Sequence, residues 1–312
     1  MGSKHRKKVT FRIVGGLGNQ LFILAAAKFY SNQRYATVLI DRAFLNKDLS
    51  KHWVSIESFK VSENFKDTGN VLKMNQFVDR VWSYFVARSG VLNSLGQRLL
   101  GIYSSKKLGF DPNLEITSAK YIKGYFQTWK YAEKVKDELY QELELKTPSL
   151  WYLEMQGIAK MKNPIVLHVR RGDFKNEVNS YMGLLSEDYY RRAFEHLRAE
   201  GNQYPVWVFS DEHRIAREVL KFLDSEDVTW VSHPKEVSSP EEEMMLMRFG
   251  SAHVIANSTF SWWAAYLSRS TECVIAPSKW FKDIDDPEEL IPPTWTRIES
   301  SWEHKQHTLD LL

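Results

Sequence analysis

Four polar clusters in this sequence each follow directly on a short apolar run. Arg170-Arg171-Gly172-Asp173 follows Ile165–Val169, and Ser210-Asp211-Glu212 follows Val206-Trp207-Val208-Phe209. Asn257-Ser258-Thr259 follows His253-Val254-Ile255-Ala256, and Gly15-Gly16-Leu17-Gly18-Asn19-Gln20 follows a run that begins at Val9. Adjacent arginines suit a phosphate, because guanidinium is a planar fork of donors that keeps its charge. The competing reading pairs both with Asp173 or Glu177 on the surface. His168 lies on the strand face of Arg170 and could hydrogen-bond a nucleotide base, although a lone histidine there is also a common core residue. Asn257-Ser258-Thr259, ahead of Phe260, reads as a helix start whose free N–H groups accept either a phosphate or only a cap. The same triplet is a glycosylation sequon, and its position argues against that use. The glycines at 15, 16 and 18 lack the spacing of a dinucleotide fingerprint; they suit close approach of a ligand to the backbone.

Metal chemistry finds little support. Asp283-Ile284-Asp285 has the form of an acidic metal motif but falls in an acidic loop, after the last apolar run. The nine histidines show no zinc spacing, and Cys273 is the single cysteine. No metal and no bound cofactor are therefore expected. Glu241-Glu242-Glu243, behind Pro240, reads as acids compensating a helix dipole.

The elements that position these clusters alternate. Val9–Val14 is a strand feeding the glycine turn, and 19–31 is an amphipathic helix with Leu21, Phe22, Ala25 and Phe29 on one face. Thr37-Val38-Leu39-Ile40 is the next strand. Residues 45–130 are less legible, 130–145 form one charged helix, and Lys146-Thr147-Pro148 closes a first domain at 1–148. In the second domain, 149–312, strands at 165–169, 206–209, 228–231, 253–256 and 273–276 alternate with helices at 188–200, 213–223, 240–249 and 260–267. That rhythm predicts an α/β protein with parallel sheets, in which ligands bind beyond the carboxyl ends of the strands. All four clusters lie there. Two Rossmann-like domains facing a central cleft are the expected architecture.

Composition excludes other classes. The 312 residues are 43% hydrophobic and 26% charged, which rules out disorder and coiled coil, and no apolar stretch spans a bilayer. No signal-peptide core follows the basic residues at the start, and one cysteine fits a reducing compartment, so a cytoplasmic location is expected. Net charge is +3, and Lys4, Arg6, Lys7 and Lys8 account for four positive charges. This basic arm reads as a solvated tail or as a peripheral contact with the inner membrane face; nucleic acid is not an expected partner. The 11 tryptophans fit a large core and tilt slightly toward sugar binding.

The motifs Gly15–Phe22, His168–Phe174, Phe209–Glu212 and Asn257–Trp263 occur in the order of the α-1,2-fucosyltransferase family, which this chain resembles over most of its length. The resemblance implies a GT-B fold and inverting transfer of fucose from GDP-fucose to the 2-hydroxyl of a terminal β-galactoside, on an oligosaccharide or a lipid-linked glycan. Surface-polysaccharide (O-antigen) assembly is the implied setting, with no metal. Alternatives are another linkage, another GDP-sugar, or an inactive binding module. Residue by residue it implies that Arg170 clamps the β-phosphate with Arg171 assisting, that His168 faces guanine, and that Asp173 orients the site. Asn257, Ser258 and Thr259, with Phe260 beside them, complete the pyrophosphate pocket. Asn19, in the turn of Gly15, Gly16, Gly18 and Gln20, faces the fucose, and Ser210 and Asp211 line the donor side. Glu177 is a candidate base, with Asp173 and Asp211 as rivals.

Overall fold

A computed structural model describes residues 7–42, 45, 55–62, 66–67, 101–172, 181–223, 227–234 and 239–303. The chain divides into two compact units, one running to Thr147 with Pro287–Pro292 added, the other holding Pro148–Asp286 and the chain from Pro293.

The first unit is built on β1 (Lys8–Arg12), β2 (Thr37–Asp41), β3 (Lys66–Asp67), β4 (Ile102–Ser104) and β5 (Tyr121–Lys123). The order is β3-β2-β1-β5-β4, and every pairing is parallel, with Val9 opposite Val38 and Thr10 opposite Tyr121. The strand order reverses between β1 and β5. The basic arm is anchored to this sheet: Lys8 opens β1, and Lys7 Nζ donates to Ser118 O at 2.5 Å.

Between β1 and β2 runs α1 (Leu17–Arg34), which is buried continuously from Gln20 to Tyr30, so the expected one-sided helix is instead enclosed all round. It packs against α3 (Trp129–Lys134) and the Ser55–Ser58 turn, and at its one buried cation Lys28 meets Glu142 at 2.6 Å. The short α2 (Asn113–Ile116) precedes β5. The single helix expected over 130–145 is broken at Val135 (φ −126°, ψ 19°) into α3 and α4 (Lys136–Glu142). The return segment Pro287–Pro292 is stitched in by Phe110 N–H to Glu288 O and Thr128 Oγ1 to Glu289 O. Gly109 permits this approach, since a Cβ there would lie 2.3 Å from Glu288 O.

The second unit opens with α5 (Leu150–Lys162) and then alternates β6 (Ile165–Val169), α6 (Glu187–Ala199), β7 (Val206–Ser210), α7 (His213–Val219), β8 (Val228–Trp230), α8 (Pro240–Met247), β9 (Ala252–Val254), α9 (Thr259–Tyr266), β10 (Cys273–Pro277) and β11 (Thr296–Ile298). Its sheet is also parallel, in the order β11-β10-β9-β6-β7-β8, and reverses between β6 and β9. The central strand β6 is buried at every residue, as a strand covered on both faces must be. Neither α5 nor β11 was expected; β11 is a three-residue edge strand with no apolar run to announce it.

The aromatic excess is largely core. Trp207, Trp262 and Trp263 are all but inaccessible, and Trp262 stacks on Tyr266 at 4.7 Å. Among the described residues no helix is long and apolar enough to cross a membrane.

Candidate functional site

In the second unit the site is organised by one carboxylate. Asp211, just past β7, accepts the backbone N–H of Arg171 at Oδ1 (2.9 Å) and that of Gly172 at Oδ2 (2.9 Å). Oδ2 also holds Arg170 Nη1 at 3.0 Å, and both side chains keep a quarter of their surface exposed. The turn after β6 is thus folded around Asp211, with the Arg170 guanidinium fixed at the rim. Gly172 is part of this design: a Cβ there would lie 2.7 Å from Asp211 Oδ2. Asp211 thus carries three donors and holds the turn and the Arg170 side chain in place.

The two arginines separate. Arg171 is 1% exposed, donates Nη2–H to Leu185 O (2.8 Å) and lies 2.6 Å from Glu303 through Nη1. Its guanidinium is buried against Leu185 O and Glu303, with Nε left without a partner among the described residues, so a structural role replaces the expectation that it assists on a phosphate. His168 sits at the carboxyl end of β6, its ring centroid 5.8 Å from that of Phe260. Burial, opposed by Asp211 and aided by Arg170, holds its imidazole down at about 4. The ring is neutral at pH 7, and its Nδ1 is buried with no hydrogen-bond partner among the described residues.

The Asn257-Ser258-Thr259 cluster is mostly occupied. Asn257 Nδ2–H₂ donates to Met182 O (2.9 Å) and Trp280 O (3.1 Å), pinning two loops. Ser258 caps α9 by accepting from Phe260 N–H (3.3 Å). Both were expected to line a phosphate pocket, and their side chains are committed to the fold instead; Thr259 and Phe260, half-buried in the first turn of α9, are the residues left at that rim. Ser210 likewise turns its Oγ back to accept Glu212 N–H at 3.0 Å.

The first unit carries a second site, without charge. Gly15, past β1, has φ +76°, and Gly16 starts α1 with no side-chain cap and no acid in the first turn. The leading N–H groups of this long helix, through the buried Gly18, therefore lack a capping side chain. Gln20 was expected to meet a ligand, but it is wholly buried: Nε2–H donates to Gly15 O (2.9 Å), and Oε1 accepts Ser55 N–H (3.0 Å). It holds the turn. Asn19 is half-buried and accepts Gln127 Nε2–H at Oδ1 (2.8 Å).

Asp173 and Glu177 lie outside the described residues. Asp283 and Asp285 are exposed, while the neighbouring Asp286 accepts the N–H groups of Trp280 and Phe281. Among the described residues no three His, Cys, Asp or Glu come together in a way that could hold a metal.

Two residues near Asp211 carry no motif signal of their own. Gly172 was visible only as part of its motif. Glu243 was counted with its neighbours as dipole compensation, yet burial raises its carboxyl to about 7, with Asp211 adding to the rise and His233 opposing. Helical spacing places Glu243 over Met247, which is wholly buried, and that spacing was the available signal. Glu242 is also more than a dipole partner: it accepts Ser149 N–H (2.6 Å) and Ser149 Oγ–H (2.7 Å) and meets His233 Nε2 at 3.1 Å.

The family model for glycosyl transferase family 11 matches residues 6–299, which include both strand-end sites. The chain belongs to glycosyl transferase family 11. It is a glycosyltransferase. An alpha-1,2-colitosyltransferase of Escherichia coli is 28% identical over 309 residues, covering 93% of this family 11 chain and 99% of the relative. A galactoside 2-alpha-L-fucosyltransferase of Caenorhabditis elegans is 25% identical over 196 residues; the match covers 56% of this chain and 51% of that protein. The fucosyltransferase NodZ from Bradyrhizobium has the same fold at 14% identity, with a TM-score of 0.53 over 91% of this chain and all of that one. A structure of the α-1,6-fucosyltransferase NodZ soaked with GDP-fucose gives 16% identity and a TM-score of 0.52, over 90% of this chain and 100% of that one. The family 11 chain thus has the GT-B-like α/β fold of the fucosyltransferases.

Proposed function

We propose that this enzyme transfers L-fucose from GDP-fucose to the 2-hydroxyl of a terminal β-galactoside, with inversion and without a metal. The acceptor hydroxyl attacks the anomeric carbon, the bond from that carbon to the β-phosphate oxygen breaks, and GDP leaves with the electron pair. The observation that carries the reading is the Arg170 fork, held at the strand end by Asp211 and still partly exposed. There it supplies the fixed positive charge that a departing diphosphate needs. The neutral His168, with its unpartnered Nδ1 and Phe260 beside it, supports a nucleotide base at the same rim. In this reading the second unit takes the donor and the first the acceptor. The acceptor proton goes to a carboxylate, Glu177 or Asp173.

A second reading is favoured by the colitosyltransferase, which is matched along nearly its whole length. Colitose differs from fucose by the missing hydroxyl at carbon 3, so the same chemistry would run on GDP-colitose. The test is to incubate the enzyme with each GDP-sugar and a panel of β-galactosides and to determine the linkage of the product. An α-1,2-fucosylated galactoside is expected. A product formed only from GDP-colitose selects the second reading, and no product from either donor contradicts both.

A further inference from the structure

The reversal of strand order in the first unit falls between β1 and β5, and an open parallel sheet receives its ligand beyond the carboxyl ends of such a pair. Asn19 lies past β1. Past β5 the chain reaches Phe126, which is left-handed at φ +52° with its ring wholly buried against Phe11 and Tyr131. An aromatic residue is held in that conformation only where its surroundings dictate it. The turn delivers Gln127 across the crevice, with its backbone N–H on Leu108 O at 2.7 Å.

Gln127 is 7% exposed, and its Nε2–H meets Asn19 Oδ1 at 2.8 Å. Its own Oε1 is buried with no partner among the described residues. A buried amide left half-satisfied is costly, and a hydrophobic residue of the same size would avoid that cost. What the amide achieves here is a fixed polarity. With Oδ1 turned toward Gln127, the Asn19 N–H₂ points the other way. That group lies against Gly15, where a Cβ would come within 2.6 Å of Nδ2, so glycine makes room for it.

We propose that Gln127 is a positioning residue that fixes the Asn19 amide with its N–H₂ toward an oxygen of a sugar substrate. The inference rests on the sugar-transfer reading and adds to it the residue that sets the amide's direction. The oxygen belongs either to the transferred sugar or to the acceptor, and the kinetics distinguish the two.

The experiment compares the wild-type chain with Gln127→Met, Gln127→Glu and Asn19→Asp. It measures kcat and KM for GDP-fucose and for lactose, Kd for GDP, which lacks the transferred sugar, and the melting temperature. A glutamate at 127 only accepts, so Asn19 must turn its N–H₂ inward and present Oδ1 to the substrate. Gln127→Met frees the amide without reversing it. Asn19→Asp keeps an acceptor for Gln127 but removes the N–H₂. The expected order of kcat/KM is wild type, then Gln127→Met, then Gln127→Glu and Asn19→Asp together, with the last pair down by at least about tenfold, the size of one lost hydrogen bond. GDP binding stays at the wild-type level. A raised KM for GDP-fucose assigns the oxygen to the transferred sugar, and one for lactose assigns it to the acceptor. Wild-type kinetics in Asn19→Asp overturn the proposal even if the Gln127 variants do not fold. Gln127 variants that lose GDP affinity and melting temperature together, with Gln127→Met as impaired as Gln127→Glu, overturn it too. A wild-type enzyme inactive with GDP-fucose refutes the donor reading instead, and the same variants are then read with GDP-colitose.

Discussion

The two strand-end sites differ in the kind of group they offer. In the second unit the turn after β6 is charged: Asp211 gathers two backbone N–H groups and the Arg170 guanidinium, and a buried neutral histidine stands beside them. In the first unit the corresponding turn after β1 holds glycines, an α1 start with no capping side chain, and the amides of Asn19 and Gln127. Both use a glycine to admit a polar side chain against the backbone, Gly172 for a carboxylate and Gly15 for an amide. The same placement in a parallel sheet thus presents two kinds of polar group. Fixed charge suits a diphosphate that must leave, and neutral amides suit hydroxyls, which need direction more than charge.

The contrast is broken most severely at Arg170. Arg170→Lys is expected to cost roughly 2–4 kcal/mol of transition-state stabilisation, read as kcat/KM with GDP-fucose, because a point charge cannot reproduce a fork. Near-wild-type turnover would remove the charged site from the account.

Protonation comes next. Burial pushes His168 and His253 each down to about 4, so between 6.5 and 4 the unfolded chain binds protons that these residues refuse. Stability is complete above 6.5 and falls as the pH drops toward 4, by up to about 3 kcal/mol for each imidazole. Glu243 has the opposite sign: raised to about 7, it binds a proton in the folded state that the unfolded chain releases above 4.5. Glu243→Gln should therefore steepen the acid-side decline by about 1.4 kcal/mol per pH unit between pH 5 and 6, and His168→Phe should make it shallower. Urea unfolding across a pH series measures both slopes; parallel curves for all three proteins would contradict the burial argument.

Smaller effects sharpen the contrast. Gly172→Ala forces Asp211 off the turn and should weaken GDP binding by about 1–2 kcal/mol, roughly one to two hydrogen bonds. Gly15→Ala strains a φ of +76° and displaces the Asn19 amide, so it should impair turnover while GDP affinity stays near wild type. The reverse pattern in titration calorimetry would exchange the roles of the two sites. Chelation with EDTA should change nothing: full turnover is expected, and an activity restored by Mg²⁺ or Mn²⁺ would contradict the metal-free reading.

Much of this is legible in the sequence alone. Strands such as Ile165–Val169 announce themselves as unbroken apolar runs because both sheet faces are covered, and the clusters after them then fall at the carboxyl rim of necessity. The partners of each polar group were hidden. Arg170 and Arg171 are equivalent in sequence, and only the folded turn after β6 shows one on Asp211 at the rim and the other buried against Leu185 O and Glu303. Gln20 and Asn257 stand inside motifs whose composition points to a ligand, yet each is buried and holds loops together, which depends on contacts 35 residues away in one case and 75 in the other. The break at Val135 and the short edge strand β11 left no periodic signal.

The central claim is that, of two adjacent arginines, Arg170 meets the ligand and Arg171 holds the fold. Titration of GDP into Arg170→Lys and Arg171→Lys, with the melting temperature of each, tests it most directly. Arg170→Lys should weaken GDP binding by at least about tenfold at an unchanged melting temperature. Arg171→Lys should melt earlier, because the buried carbonyl of Leu185 and the Glu303 carboxylate lose their fork, and it should bind GDP as the wild type does wherever it is folded. Equal loss of GDP affinity in both variants at the wild-type melting temperature would contradict the assignment.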